Sequence, residues 1–305
     1  MAEADRTSVA GTRVDLGLVV STLGRVRALD RLLASLDGRL GPSDRVVVVA
    51  QGAVPEVRAL AARYADKGLP VVVTTSKRGA ALGRNTGVAA LPARDFLLGF
   101  PNDTTWFPDG AVEALRSAAE ASGLQAGALT VVDENGPKFV LPPAGTVLDR
   151  RSVWSVIEMG LLVRRDVFLE VGGFDAAMGT GGPTPWQAGE ATDFLLRLVR
   201  RRPDLAQRFE WLPPDVRVGG VPDPHGLSAA ERRRKLRSYG RGLGRLVTVH
   251  GYPLWWRAAY LLAGLVFGFR NPATHTPGDG WWAFLGRLEG YTGRTIGGQT
   301  AAVQR

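Results

Sequence analysis

The chain opens with four repeats of one pattern, a short apolar run followed by a helical periodicity, and this alternation restricts the folds open to it more than any other feature. Val14 to Val20 precedes Leu29, Leu32, Leu33 and Leu36, a helical stripe closed by Gly38. Arg45 to Val49 precedes a helical stretch over 55–65, Pro70 to Thr75 precedes one over 80–91, and Phe96 to Phe100 precedes one over 109–121. Each apolar run is too short for a helix and is bounded by turn residues, so each reads as a buried strand. A fifth strand is expected at Ala128 to Val132, and residues 134–150, with Gly, Pro and Lys, read as a surface excursion. Strands separated by helices need crossover connections, which predicts an α/β fold with a mainly parallel, buried sheet flanked by helices. Parallel strands point the same way, so the loops that follow them share one edge of the sheet. Thr22, Gln51, Arg78 and Asp103 are therefore expected to converge.

Composition narrows the chemistry. The 305 residues are 45% hydrophobic and 22% charged, enough for one large domain or a domain with an appendage. The absence of cysteine excludes disulfides, zinc thiolates and thiol nucleophiles. The three histidines, His225, His250 and His275, all lie in the last third and leave little for a histidine-based metal site or triad, so chemistry falls to carboxylates. The polar start, MAEADRTSVAGTR, has no apolar core segment, which predicts no secretory signal and a cytoplasmic protein. The net charge of +9 is placed unevenly: Gly226 to Arg305 holds 12 Arg and Lys against Glu231, Asp279 and Glu289, and the first 225 residues balance. The reading is therefore a body over 1–225 and a basic appendage over 226–305 that seeks an anionic partner.

Three polar stretches carry candidate chemistry. In FLLGFPNDTTWFP, residues 96–108, Asn102, Asp103 and Thr104 follow a strand directly, where their oxygens suit a ribose, a diphosphate or a divalent cation; a strand and a plain turn would read the same way. KRGAALGRNTG, residues 77–87, opens a helix with Gly79 beside Arg78 and Arg84, and helix amides with cations nearby suit a diphosphate, although the glycine spacing is neither a Walker motif nor GxGxxG. Glu190 and Asp193 stand three apart at a helix start, where both fit one exposed face; helix capping would explain the same pair. The loop before them, Gly179 to Gly189, holds four glycines, two prolines and Trp186, a segment that is costly to order unless it walls a binding site.

The appendage has its own character. Over Ser228 to His250, Leu236, Leu243, Leu246 and Val247 fall at helical spacing with the basic run ERRRKLR on another face. Tyr252 to Phe269 is apolar apart from Arg257, short for a membrane span of about 20 residues. With Trp255, Trp256, Trp281 and Trp282 it reads as an interfacial helix pair on an anionic membrane surface, or else as helices packed on the body. Nucleic acid is a poor partner for so apolar a segment.

Taken in order, Val19 to Arg25, Lys77 to Gly87 with Arg84-Asn85-Thr86-Gly87, Phe100 to Asp103, Val171 to Asp175, and Gly189 to Asp193 ahead of Leu196-Arg197 resemble a family 2 glycosyltransferase of the GT-A fold, a Rossmann-like sheet flanked by helices. The resemblance covers about residues 14–225. It implies a nucleotide-sugar donor, with nucleoside contacts near Thr22 and Gln51 and the diphosphate and a divalent cation, Mg²⁺ or Mn²⁺, at Asn102 to Thr104. On this reading Gly24, Arg25, Arg78, Gly79, Arg84 and Asn85 complete the donor site, His225 joins Asp103 and Thr104 at the metal, and Trp186 and Glu158 meet the acceptor. The resemblance places the base in the Gly-Glu-Asp region, here Glu190 or Asp193, in an inverting transfer to a glycan or lipid-linked acceptor for the cell envelope. The chain departs from the family where an acid after the second strand gives way to Ala50-Gln51, where the metal loop reads Asn102-Asp103-Thr104, and where Ala191 follows Glu190. These departures leave open a non-catalytic relative that binds nucleotide sugar or glycan.

Overall fold

The computed structural model describes residues 13–222 and 224–297. All but the last residue of the polar stretch read as lacking a signal, and the end of the basic appendage from 298, lie outside the described residues.

The first half follows the expected alternation: β1 (Leu16–Thr22), α1 (Val26–Leu36), β2 (Arg45–Ala50), α2 (Val54–Ala65), β3 (Val71–Thr75), α3 (Ala80–Ala90), β4 (Leu97–Gly99) and α4 (Ala111–Ser122). Next come β5 (Ala126–Ala128), β6 (Thr130–Asp133), β7 (Gly136–Pro137), β8 (Leu161–Arg164), α5 (Arg165–Val171), α6 (Glu190–Arg201), α7 (Pro203–Gln207), β9 (Glu210–Trp211) and β10 (Arg217–Gly219). Four helices end the chain: α8 (Ala229–Val249), α9 (Leu254–Leu265), α10 (Phe267–Arg270) and α11 (Asp279–Thr292).

The main sheet has the order β3-β2-β1-β4-β8-β5-β9. Its strands are apolar on both faces because helices cover both. Val47 and Val49 point into one core with α3, α5 and α6, and Val46 and Val48 into the other with α1, α2 and α4. β1 to β4 pair in parallel, whereas β8 runs antiparallel between β4 and β5. The single strand expected over 128–132 is two. The Leu129 amide donates to the Gly160 carbonyl and Thr130 to Val216, so the chain leaves the main sheet there and β6 joins a small second sheet with β10 and β7.

From β1 the chain winds outward to β2 and β3, then returns to place β4 on the other side of β1. The gap beyond the C-terminal ends of β1 and β4 is thus the point where the winding reverses, the place where open α/β sheets form a ligand crevice.

The C-terminal helices pack on this body. Ser228 caps α8 in a capping box with Glu231. Helices α8 and α11 lie parallel with their backbones in contact: a Cβ on Gly244 would fall 2.2 Å from the Arg287 carbonyl, and one on Gly286 would fall 2.2 Å from the Arg237 carbonyl. Asp279 of α11, fully buried, takes Arg232 at 2.9 Å and Arg233 at 3.2 Å; Glu289, also fully buried, takes Arg237 and Arg241. The basic face read for α8 is therefore largely turned inward, onto the two acids of α11. No helix among the described residues is long and apolar enough to cross a membrane.

Candidate active site

At the reversal point the loops after β1 and β4 are tied together. Thr22, the last residue of β1, donates its hydroxyl hydrogen to Asp103 Oδ2 at 2.7 Å, and accepts the Gly24 amide at 3.0 Å. Arg25 donates from Nε to the same carboxylate oxygen at 3.0 Å and from Nη2 to the other. Asp103 is 1% exposed and the Arg25 side chain 62%, so a buried acid anchors a guanidinium at the mouth of the crevice.

A second cluster lies beside it. Arg84 of α3, which is 2% exposed, donates from Nη1 to Glu190 Oε1 at 2.7 Å and from Nη2 to Asn102 Oδ1 at 2.9 Å. Asn102 in turn donates to Glu158 Oε1 at 3.1 Å, and Glu158 lies 3.4 Å from Arg84. One buried cation thus faces two carboxylates. Burial pushes the Glu190 carboxyl above its ordinary value and the charge of Glu158 adds to this, against the lowering effect of Arg84. Gly179 makes room for the group: its φ is +89°, and a Cβ there would fall 3.0 Å from the Glu190 carboxyl carbon.

Asp193 turns elsewhere. The pair expected on one exposed face is buried, and one helical turn separates two different surroundings. Asp193 accepts from Arg197 Nε at 2.8 Å and shares a 2.9 Å hydrogen bond with His250 Nε2. Burial works to raise its pKa, but the hydrogen bonds from His250 and Arg197 prevail and hold it below the usual carboxylate range. Sequence alone assigns no site role to His250 or Arg197. The i,i+4 spacing of Asp193 and Arg197 is a legible signal, whereas nothing local points to a histidine 57 residues away.

The remaining candidates frame these clusters. Gln51, read as a nucleoside contact, donates from Nε2 to Ser76 Oγ and to the carbonyls of Lys77 and Gly79, knitting the loop after β3 to the end of β2. The Ala80 amide at the start of α3 donates to the Thr180 carbonyl and the Gly79 amide to Gln51 Oε1, so two groups read as diphosphate donors already hold protein oxygens. Arg78 packs against Gly181, where a Cβ would meet its Cγ at 3.2 Å. Asn85 clasps Phe174 through its backbone, donating at 2.7 Å and accepting at 3.0 Å. The Trp186 ring stacks under Arg245 of α8, 5.5 Å from its centroid.

The residues present do not fit a divalent cation. Both oxygens of Asp103 are engaged by Thr22 and Arg25, and Thr104 beside it supplies only a hydroxyl. His225 is exposed and lines a cavity of about 270 Å³ with Glu134, Asn135 and Arg232, a cavity to which neither Asp103 nor Thr104 contributes. Among the described residues no three His, Asp or Glu side chains form a group that could hold a metal.

No protein-family model matches the chain, and no curated protein matches it by sequence. Solved structures do. TarS 1–349 of S. aureus superposes with a TM-score of 0.58 at 12% identity over 92% of each chain, and the same protein in complex with UDP-GlcNAc gives 0.57 at 13% identity over 92% of this chain and 93% of that one. A mannosyltransferase from Pyrobaculum calidifontis in complex with GDP-Man and Mn²⁺ gives 0.53 at 17% identity, over 95% of this chain and 78% of that one. These shares exceed what residues 1–225 amount to, so the likeness takes in part of the C-terminal helices. At such identities the likeness establishes architecture, and that architecture is the GT-A fold that the sequence motifs implied.

Proposed function

We propose that the protein is an inverting glycosyltransferase that moves a sugar from a nucleotide-sugar donor to a hydroxyl of a glycan or lipid-linked acceptor in envelope or polysaccharide synthesis. The observation that carries this reading is that adjacent residues of the loop at the sheet's reversal serve two clusters, Asp103 anchoring the guanidinium of Arg25 and Asn102 accepting from Arg84, which pairs with a buried carboxylate of raised pKa, Glu190. The similar structures that hold UDP-GlcNAc and GDP-Man support the donor class.

In this mechanism the donor lies across the loops after β1 and β4, with its leaving diphosphate toward Arg25. Glu190 takes the proton of the acceptor hydroxyl, the oxygen attacks the anomeric carbon from the face opposite the nucleotide, and the carbon–oxygen bond to the diphosphate breaks. A carboxylate whose pKa lies above the ordinary range is a stronger base at neutral pH. Asp193, tied to His250 and Arg197, holds the start of α6 so that Glu190 stays in place. Trp186 and the glycine loop offer the acceptor an apolar wall. The exposed Leu254, Trp255, Leu262, Val266 and Phe269 of the C-terminal helices, with Trp281, would rest on an anionic membrane at its cytoplasmic face.

A thermal-shift screen against nucleotide sugars, followed by a donor-turnover assay with the stabilising compound, tests the reading. Stabilisation by one donor and release of its nucleoside diphosphate support it; no response to any donor overturns it. The ion pair of Glu190 with Arg84 favours a second reading, a non-catalytic nucleotide-sugar binder. Donor binding with no turnover in the presence of candidate acceptors would select that one.

A further inference from the structure

Arg25 stands where a cation is needed. Asp103 is buried with both oxygens turned onto Thr22 and Arg25, and the other carboxylate of the loop after β4, Asp109, stands at the surface on Arg39. A guanidinium carries five N–H donors in a rigid fork and stays charged at any accessible pH. Asp103 engages only two nitrogens of that fork, Nε and Nη2, and most of the side chain remains open to the crevice. The grip also fixes its direction: β1 ends at Thr22, whose hydroxyl braces the same carboxylate, so the fork is oriented before any ligand arrives.

We propose that Arg25 does the work of the divalent ion, so that this site binds the diphosphate of its donor without metal. The inference deepens the proposed function and rests on it. A guanidinium matches the spacing of phosphate oxygens through paired, charge-assisted hydrogen bonds. With Asp103 behind it the local pair is neutral, so Arg25 acts through directed N–H donors at short range rather than by long-range attraction. As the glycosyl bond to the diphosphate breaks, these donors stabilise the charge gathering on the leaving group, a task suited to preorganised hydrogen bonds in a crevice. The nucleoside diphosphate departs carrying the bonding electron pair, and the acceptor proton remains on the base.

Calorimetric titration of the full chain tests this, with UDP and GDP as probes, uridine and guanosine as controls without phosphate, and EDTA or excess Mg²⁺ or Mn²⁺ in parallel. One diphosphate is expected to bind in EDTA as tightly as with metal, within about two-fold. Arg25→Ala is expected to weaken that diphosphate by about 10- to 100-fold, the worth of a charged hydrogen-bond pair, and to leave the nucleoside unchanged, while Arg25→Lys recovers part of the loss. Binding that appears only with metal overturns the inference and leaves the proposed function standing. Equal weakening of nucleoside and diphosphate in Arg25→Ala assigns Arg25 a structural role and also overturns it; because the EDTA comparison uses the unaltered protein, a poorly folding variant does not blunt the test. No binding of any probe under any condition overturns the proposed function along with it.

Discussion

Arg84 and Glu190, 106 residues apart in the chain, form a buried ion pair at 2.7 Å whose cation also serves Asn102 and lies 3.4 Å from Glu158. Two carboxylates share one positive charge, so the ionised form of Glu190 is held less firmly than in a simple pair. That relationship turns the site into measurable chemistry.

Glu190→Gln keeps an oxygen for Arg84 and removes the proposed proton acceptor. Turnover is expected to fall by about 100- to 10,000-fold with donor affinity retained. Steady-state kinetics beside donor titration checks this; a variant with normal turnover would place the base elsewhere.

The acid limb of the rate profile should follow Glu190. A carboxylate base works only when ionised, so with Glu190 in that proposed role activity is expected to be lost as pH falls through its raised pKa. Glu158→Gln removes a neighbouring negative charge that raises that pKa, and its profile is expected to reach lower pH than the parent. A profile unchanged by the substitution would show that Glu158 does not act on the base.

Asp193 has the opposite sign. Its folded pKa lies below the ordinary value of 3.8, so its stabilisation is fully present above that value and is lost as pH falls below it. Asp193→Asn is therefore expected to lose about 1.5–3 kcal/mol at neutral pH, the range for a hydrogen bond to a charged group, with the gap to the parent closing in acid. Thermal melts between neutral and strongly acidic pH read this directly, and donor affinity should survive.

At Gly240, Gly244, Gly286 and Gly290 the contact between α8 and α11 leaves no room for a side chain. Gly244→Ala puts a methyl 2.2 Å from a backbone carbonyl, which must move, and a loss of about 1–3 kcal/mol is expected from overpacking. Chemical denaturation compares it with an alanine at Gly251, where nothing stands within 4 Å but φ is +61°, so that a strain effect without a clash can be told apart.

The proposed membrane contact runs through the exposed apolar residues and should not depend on the inward arginines. Trp255→Ser with Leu262→Ser and Phe269→Ser is expected to abolish sedimentation with anionic vesicles, since each side chain is more than half exposed in the parent. Salt near 1 M should weaken only the ionic part. Sedimentation unaffected by the triple variant would place the contact elsewhere.

Much of this architecture is written locally. Val46 to Val49 between turn residues, and Leu29, Leu32, Leu33 and Leu36 at helical spacing, need no distant information, so β1 through α4 emerge with ends off by a residue or two. The antiparallel insertion of β8 and the break at Leu129 depend on which backbone group finds which partner, and no periodicity records that. The site divides the same way. The loops carrying Thr22 and Asp103 follow from strand direction, but the allegiance of Asp103 to Arg25 and of Asp193 to His250 is set by packing. The basic run of α8 reads locally as a face for an anionic surface, whereas Arg232, Arg233, Arg237 and Arg241 turn to acids that lie some 50 residues on, on α11; matched glycine spacings at Gly240 and Gly244, and at Gly286 and Gly290, are the signal that the two helices touch.

Helix α8 also meets the loop that precedes Glu190. A Cβ on Gly242 would fall 2.0 Å from the Ala188 carbonyl, the Thr180 hydroxyl lies 3.3 Å from that of Tyr239, and Val247 and Tyr252 are buried in the core of the body. The C-terminal helices thus act as the abutment of an arch whose keystone is the glycine loop. A chain cut near residue 225 would lose that abutment, and any change of activity in it would report a slackened arch as readily as a lost anchor; substitutions on the outer face alone leave the masonry standing.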